Sequence, residues 1–211
     1  MLQSLKGKRV RMSKVVKEYE SRIMLTESEY FEIVSHFMRL HPEKHFLKNV
    51  NIYFDTPDYY LKNNHINLRV RIINDAKCEF TMKIAHPEGD DEINDYPNIK
   101  EIDALLKEGI FPNGDVKRYL LTLPYHLADY KQITTLTTIR LEIENDDHLL
   151  VIDKNSYGDI IDYNLEVEAK DSILLAKARL KEYMKQFNIA EPQQKYVGKS
   201  HRAINAAIKK S

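Results

Sequence analysis

Apolar and polar positions along the chain follow two periods, and the switches between them mark out the elements. From Lys14 to Leu25 the pattern is that of a strand. Thr26, with Glu29 three residues on, has the spacing of a capping box, and Phe31, Ile33, Val34, Phe37 and Met38 follow at helical spacing. Beyond Pro42 the period returns to two. Strands are predicted at 48–55, 66–73 and 77–85, with a weaker run at 91–96, separated by turn-forming stretches such as PDYYLKNNH and NDA. Two or three short helices are expected between Asn98 and Lys131, with Gly109 as a helix stop and Pro124 as a break. Three more strands are predicted at 134–145, 148–154 and 160–169, the first two joined by a turn at Asn145, Asp146 and Asp147. Ser172 is placed to cap a helix carrying Ile173, Leu174, Leu180, Tyr183, Met184 and Phe187, and a last helix is expected over 199–209.

Side chains at i, i+2 and i+4 of a strand share a face, so each run divides into two columns. One column collects Glu18, Glu20 and Arg22; Arg69 and Arg71; Glu79, Thr81 and Lys83; Arg140, Glu142 and Glu144; and Asp162, Asn164, Glu166 and Glu168. The other is apolar in most runs, as in Leu68, Val70 and Ile72, or Phe80, Met82 and Ile84. An ordinary sheet with one wet face explains this pattern, and so does a sheet whose charged face turns inward while helices pack on the apolar side. Periodicity does not choose between them. The dominance of Glu and Arg on the charged face, rather than Thr, Ser and Gln, is suited to metals and phosphates.

A chain of 211 residues suits one domain with a full core, here 14–211. Residues 1–13, basic and without a usable period, are expected to be a disordered arm, vector-derived or upstream of a start at Met12. Thirty-two basic and 32 acidic side chains cancel, so no global field marks a nucleic-acid partner, and any phosphate site needs local charge. The single Cys78 forms no internal disulfide and sits in an apolar column as a packed thiol. No apolar run approaches the roughly 20 residues that span a bilayer, and no signal-like segment follows the start, so a cytoplasmic protein without a membrane role is expected. No G-x-x-x-x-G-K-[ST] loop occurs, and His41 and His45 flank Pro42 without a cysteine partner, which argues against a P-loop enzyme and a zinc site.

Glu18-x-Glu20-x-Arg22 resembles the ExExK signature of the CYTH, or triphosphate tunnel metalloenzyme, family. Further blocks follow in that family's order: YFDT at Tyr53 to Thr56, LRVR at Leu68 to Arg71, TMK at Thr81 to Lys83, Thr138-Ile-Arg140, VIDKNSY at Val151 to Tyr157, DYNLEVE at Asp162 to Glu168, and Lys199-x-x-Arg202. The resemblance covers about 14–202 and is nearest to the small CYTH proteins of Gram-positive bacteria. It implies an α+β fold, mainly antiparallel β, with an eight-stranded closed barrel forming a tunnel, a charged bore and amphipathic helices outside. By position it implies metal-binding acids at Glu18, Glu20, Glu92 (chosen over Glu88), Asp153, Glu166 and Glu168. Arg22, Arg69, Arg71, Lys83, Arg140, Lys199 and Arg202 match the phosphate-gripping set. Two departures stand out: Arg22 replaces the usual Lys and cannot donate a proton near neutral pH, and His65 stands where relatives often carry Gly.

Guanidinium forks bind phosphate oxygens bidentately, and Mg²⁺ or Mn²⁺ prefers carboxylate and water oxygens. The expected activity is therefore metal-dependent hydrolysis of the terminal phosphoryl of a triphosphate, with Glu18 or Glu20 orienting the water. Inorganic tripolyphosphate leads as substrate because no base-binding or thiamine-binding motif is present. Thiamine triphosphate hydrolysis, a class IV-type adenylate cyclase, and a non-catalytic polyphosphate or nucleotide sensor are the alternatives.

Overall fold

The computed structural model describes residues 19–86 and 89–209. Its elements are β1 (Tyr19–Leu25), α1 (Glu27–Leu40), β2 (Leu47–Asp55), α2 (Tyr60–Asn63), β3 (Ile66–Ile73), β4 (Lys77–His86), β5 (Gly89–Asp95), α3 (Ile99–Glu108), α4 (Asp115–Leu120), β6 (Lys131–Glu144), β7 (His148–Tyr157), β8 (Ile160–Ala169), α5 (Ile173–Gln186) and α6 (Lys199–Ile208). The local signals act where the sequence places them. Thr26 and Glu29 close the capping box of α1, Gly109 ends α3 in the left-handed region at φ 72°, and Ser172 caps α5. β6 and β7 run further than their apolar alternation, because ladder pairing continues through polar residues: Lys131 and Gln132 pair with Asp55 and Phe54, and Asn155 and Ser156 with Thr138 and Thr137. The expected arm at 1–13 and the start of the first strand before Tyr19 lie outside the described residues.

The eight strands form one antiparallel sheet in the order β1-β8-β7-β6-β2-β3-β4-β5. Among the described residues no ladder joins β1 to β5, so the sheet has two edges and the expected closure of the barrel is not found. Side chains from both edge strands nevertheless line one cavity, Glu20 and Arg22 from β1 and Glu92 and Asn94 from β5, so the sheet curls around it.

The apolar columns face outward into two cores. α1 and α5 cover β1, β6, β7 and β8, with Ile33, Phe37, Ala176 and Leu180 meeting Leu141, Ile152 and Leu165. α2, α3 and α4 cover β2, β3 and β4, with Leu61, Ile102 and Val116 meeting Leu68, Phe80 and Met82. Each fully buried Leu, Ile or Phe contributes about 1.5–3 kcal/mol, so the helices hold the apolar faces outward and leave the charged columns inside the curl. α6 departs from the expectation that the helices pack outside. Its Ala203 and Ile204 pack on Tyr53, Leu136 and Tyr157, in a third cluster against the side that carries the charged columns. Tyr53 therefore belongs to the bore, while its neighbour Phe54 sits in the outer core. No helix among the described residues is long and apolar enough to cross a membrane.

Candidate functional site

The cavity has a volume of about 520 Å³ and is lined by seven Lys or Arg side chains against five carboxylates. Three walls meet in it. β3 and β4 bring Arg69, Arg71, Glu79 and Lys83; β1, β6 and β8 bring Glu20, Arg22, Arg140, Glu166 and Glu168; and the first turn of α6 brings Lys199 and His201.

On the acidic side, register sets Glu20 opposite Glu168 and Arg22 opposite Glu166. One oxygen each from Glu20, Glu166 and Glu168 lies within 4.8 Å of the others. Arg22 contacts Glu20 and stands 3.5 Å from Glu166 through its Nε. Glu166 is 2% exposed and also meets Arg140 at 3.3 Å and Lys199 at 2.9 Å. Beneath it, Asp153 is wholly buried. Arg140 donates to both its oxygens at 2.9 and 3.0 Å, and Lys199 also donates to it. Burial alone would push the Asp153 carboxyl up, but the attraction of Lys199 and Arg140 and their hydrogen bonds outweigh it and hold its pKa below the usual value. Burial likewise opposes the charge on Arg140, yet Asp153, with Glu166 and Glu168 behind it, raises its proton affinity.

The facing wall is different. Arg69 and Arg71 are two residues apart on one face of β3, about 7 Å along the strand. Arg71 donates to Asn51 at 3.0 Å and reaches Glu79 at 3.6 Å. Arg69 stands beside the Tyr53 hydroxyl, has no carboxylate partner among the described residues, and its Nε is buried without a partner. Burial, then the repulsion of Arg69, lowers the pKa of Arg71 to about 10, against the pull of Glu79 and with further repulsion from Arg140. Two partly buried guanidinium groups side by side, one of them without a carboxylate among the described residues, make a site that an anion would relieve.

The residues expected from the sequence to line the site divide: most line it, Asp153 and Arg202 do not, and one lies outside the described residues. Glu18 lies outside the described residues. Glu92 lines the cavity but is not part of the Glu20, Glu166 and Glu168 cluster, and it pairs with Lys83 at 3.3 Å. Asp153 sits under the floor, its oxygens already taken by two cations. Arg202 does not line the cavity; its guanidinium is bound by Asp162 at 2.7 and 2.8 Å. That pair was not legible because both residues carry the charges expected of the bore. Glu79 and Lys62, to which the sequence pattern assigns no role, do line the cavity, and the position of Glu79 in a charged column was the available signal. His65 does lie in the left-handed region, φ 58°, so this turn keeps a glycine-like backbone without a glycine. Asp55 of the YFDT block is no ligand: 2% exposed, it accepts from the backbone N–H of Thr56, Leu61 and Lys62 at 2.8, 2.8 and 3.0 Å, fixing the α2 turn that presents Lys62 and His65 to the cavity.

Known proteins share this architecture. The sequence profile described as the CYTH domain matches residues 16–195. A Bacillus subtilis relative, YjbK, named as a candidate triphosphatase, is 32% identical over 154 residues, which is 73% of this chain and 78% of that protein. The crystal structure of a candidate adenylate cyclase from Bacillus halodurans superposes with a TM-score of 0.75 at 30% identity, covering 88% of this chain and 96% of that one. HpAC1 of Hippeastrum, described as a candidate adenylyl cyclase with a dominant triphosphatase activity, shares the fold at a TM-score of 0.70 and 16% identity, covering 90% and 96%.

Proposed function

Because this chain belongs to the CYTH domain family, matched over residues 16–195, we propose that it is a metal-dependent triphosphatase that removes the terminal phosphoryl of a triphosphate, with inorganic tripolyphosphate as substrate. The observation that carries this reading is the Arg69–Arg71 pair, two guanidinium groups on one face of β3 that both line the cavity, of which Arg69 has a buried Nε without a partner and no carboxylate among the described residues. A polyanion is the ligand that such a wall fits. The activities named for YjbK and HpAC1 support hydrolysis of a triphosphate.

The donor set on the opposite wall fits a hard divalent cation. Three carboxylates converge within 4.8 Å, and their oxygens are the ligands that Mg²⁺ and Mn²⁺ prefer. Glu20, Glu166 and Glu168 would hold the ion, with Glu18 as the further family position. When bound, it supplies positive charge that polarises phosphoryl oxygens. Arg69, Arg71, Lys83, Arg140 and Lys199 bind the phosphate chain and offset the charge that develops on the transferred group. Asp153 holds Arg140 and Lys199 in place through its ion pairs. A guanidinium has no lone pair to accept a proton, so the proton of the attacking water would go to a carboxylate, Glu20 or Glu18, rather than to Arg22. α6 covers one side of the bore and limits water there. Substrate choice follows from the lining, which is chiefly charged groups, amides and hydroxyls, with little of the apolar wall that a thiamine or adenine ring requires.

Phosphate release from tripolyphosphate, thiamine triphosphate and ATP, each with Mg²⁺, Mn²⁺ or chelator, tests the reading. It expects metal-dependent release fastest from tripolyphosphate. Formation of cyclic AMP would assign a cyclase instead, and tight binding with no turnover a sensor.

A further inference from the structure

Tyr196 lies on the segment between α5 and α6, and its ring sits between two guanidinium groups. Arg22 Cζ stands 5.6 Å from the ring centroid and Arg202 Cζ 5.3 Å. The two arginines have different surroundings. Arg202 is anchored, donating to both oxygens of Asp162 and, at 2.5 Å, to the carbonyl of Val197. Arg22 faces the cavity between Glu20 and Glu166, and its buried Nε makes no hydrogen bond. It stands on β1, an edge strand with β8 as its one ladder neighbour among the described residues. Among the described residues no strand lies on its other side; residues 192–197 cover that edge instead, around a second hollow lined by Arg22, Ile23, Met24 and Arg202.

We propose, resting on the triphosphatase reading of the cavity, that Tyr196 is a positioning residue for Arg22. Its ring, held against the fixed Arg202–Asp162 pair, keeps the Arg22 guanidinium between Glu20 and Glu166, where it can meet a phosphate oxygen. Without the ring, Arg22 is free to swing out of the bore. This also gives a reason for arginine at a position where the family signature carries lysine. A flat, weakly hydrated guanidinium stacks on an aromatic face, whereas an ammonium is a compact, strongly hydrated point charge. Arg22 and Tyr196 thus act as a unit. The buried Tyr196 hydroxyl lies beside Arg202 rather than Arg22, so toward Arg22 the ring rather than the oxygen carries the role.

The test combines two signals on the full chain. Calorimetric titration of tripolyphosphate in chelator reads binding apart from turnover, and the ¹⁵N–¹H resonance of Arg22 Nε reads where that guanidinium sits. Tyr196→Phe is expected to keep the wild-type Kd and the ring-shifted resonance. Tyr196→Leu and Tyr196→Met, the second filling the volume with a flexible chain, should weaken binding about three- to tenfold, within the range of a partly desolvated cation–π contact. Both should move the resonance toward that of a free arginine. In an Arg22→Lys background, Tyr196→Leu should change Kd by less than about twofold, because the coupled partner is already gone. An unmoved Arg22 resonance in Tyr196→Leu or Tyr196→Met, or the same loss of affinity with and without Arg22, overturns the inference. Absence of tripolyphosphate binding by the wild-type protein would overturn the reading of the cavity, and the Arg22 resonance would still decide the placement.

Discussion

Lys199, in the first turn of α6, pairs with Asp153 on β7 and meets Glu166 on β8 at 2.9 Å. A helix that comes late in the chain is thereby fastened by its leading end to the floor of the cavity. The same two carboxylates hold Arg140 at 2.9 and 3.3 Å, so two cations and two acids form one buried unit.

Breaking that unit should be costly. Asp153→Ala leaves Arg140 and Lys199 without their main partner, and removal of one member of a buried ion pair costs about 3–5 kcal/mol. Urea unfolding at pH 7 checks it. The pH dependence has a definite sign. The Asp153 carboxyl titrates below its ordinary value of 3.8 in the folded protein, so its contribution is complete above the unfolded value and is lost as pH falls through the lower folded value. The unfolding midpoint of the wild type should therefore fall as pH drops below about 4. Asp153→Asn should flatten that part of the profile.

Arg71 should show the opposite balance. Its charge is disfavoured by burial and by Arg69 while Glu79 and Asn51 hold it, so Arg71→Met, which sheds the repulsion together with those partners, should cost the unliganded protein little stability. Tripolyphosphate binding should lose roughly 2–5 kcal/mol, the cost of removing one member of a desolvated charge pair. Thermal melting with and without tripolyphosphate reads both effects, and a variant that is less stable and still binds normally would count against the proposed phosphate wall.

The acid cluster should control the demand for cation. Chelation should abolish phosphate release, and added Mg²⁺ or Mn²⁺ should restore it. Glu168→Gln should raise the cation concentration for half-maximal activity by about tenfold or more, the scale on which changes around a metal site act. Titration of each ion into both proteins measures this, and identical cation curves would remove Glu168 from the site.

Asp55→Ala should act on the fold and the mouth rather than on the ion. Loss of a buried carboxylate that accepts three backbone N–H groups leaves those donors unpaired at about 1–3 kcal/mol each, partly recovered by local relaxation. The melting temperature should fall while the cation requirement is unchanged.

What was legible in the sequence follows the range of the interactions. Thr26, Gly109 and Ser172 act on their own helix ends, and the columns of β3, β4, β6 and β8 follow from the pleat, so elements and faces could be read from residue order. Closure of the barrel depends on how two edges remote in the chain approach, and no local period encodes that distance. The side on which α6 packs was equally hidden, since its Ala203 and Ile204 make an apolar stripe like those of the outer helices. Motif order marked the charged residues but not their partners. Asp153 and Arg202 carry the charges of ligands, and only the pairing of each with another charge places them outside the cavity. Asp55 looked like part of a chemical motif and proves to be a cap. Tyr196 had no signal, because an isolated aromatic in a polar stretch says nothing of the two arginines that flank it.

The central claim is that a crowded arginine wall and a facing acid cluster together cleave a triphosphate. It is tested most directly by kcat/KM for phosphate release from tripolyphosphate in Mg²⁺ or Mn²⁺, measured for the wild type and for folded Arg69→Met and Glu166→Gln proteins. The expected result is a metal-dependent wild-type rate that falls by at least about a hundredfold in each variant, the scale of losing one preorganised electrostatic group. A rate that survives both substitutions, or that persists in chelator, would contradict it.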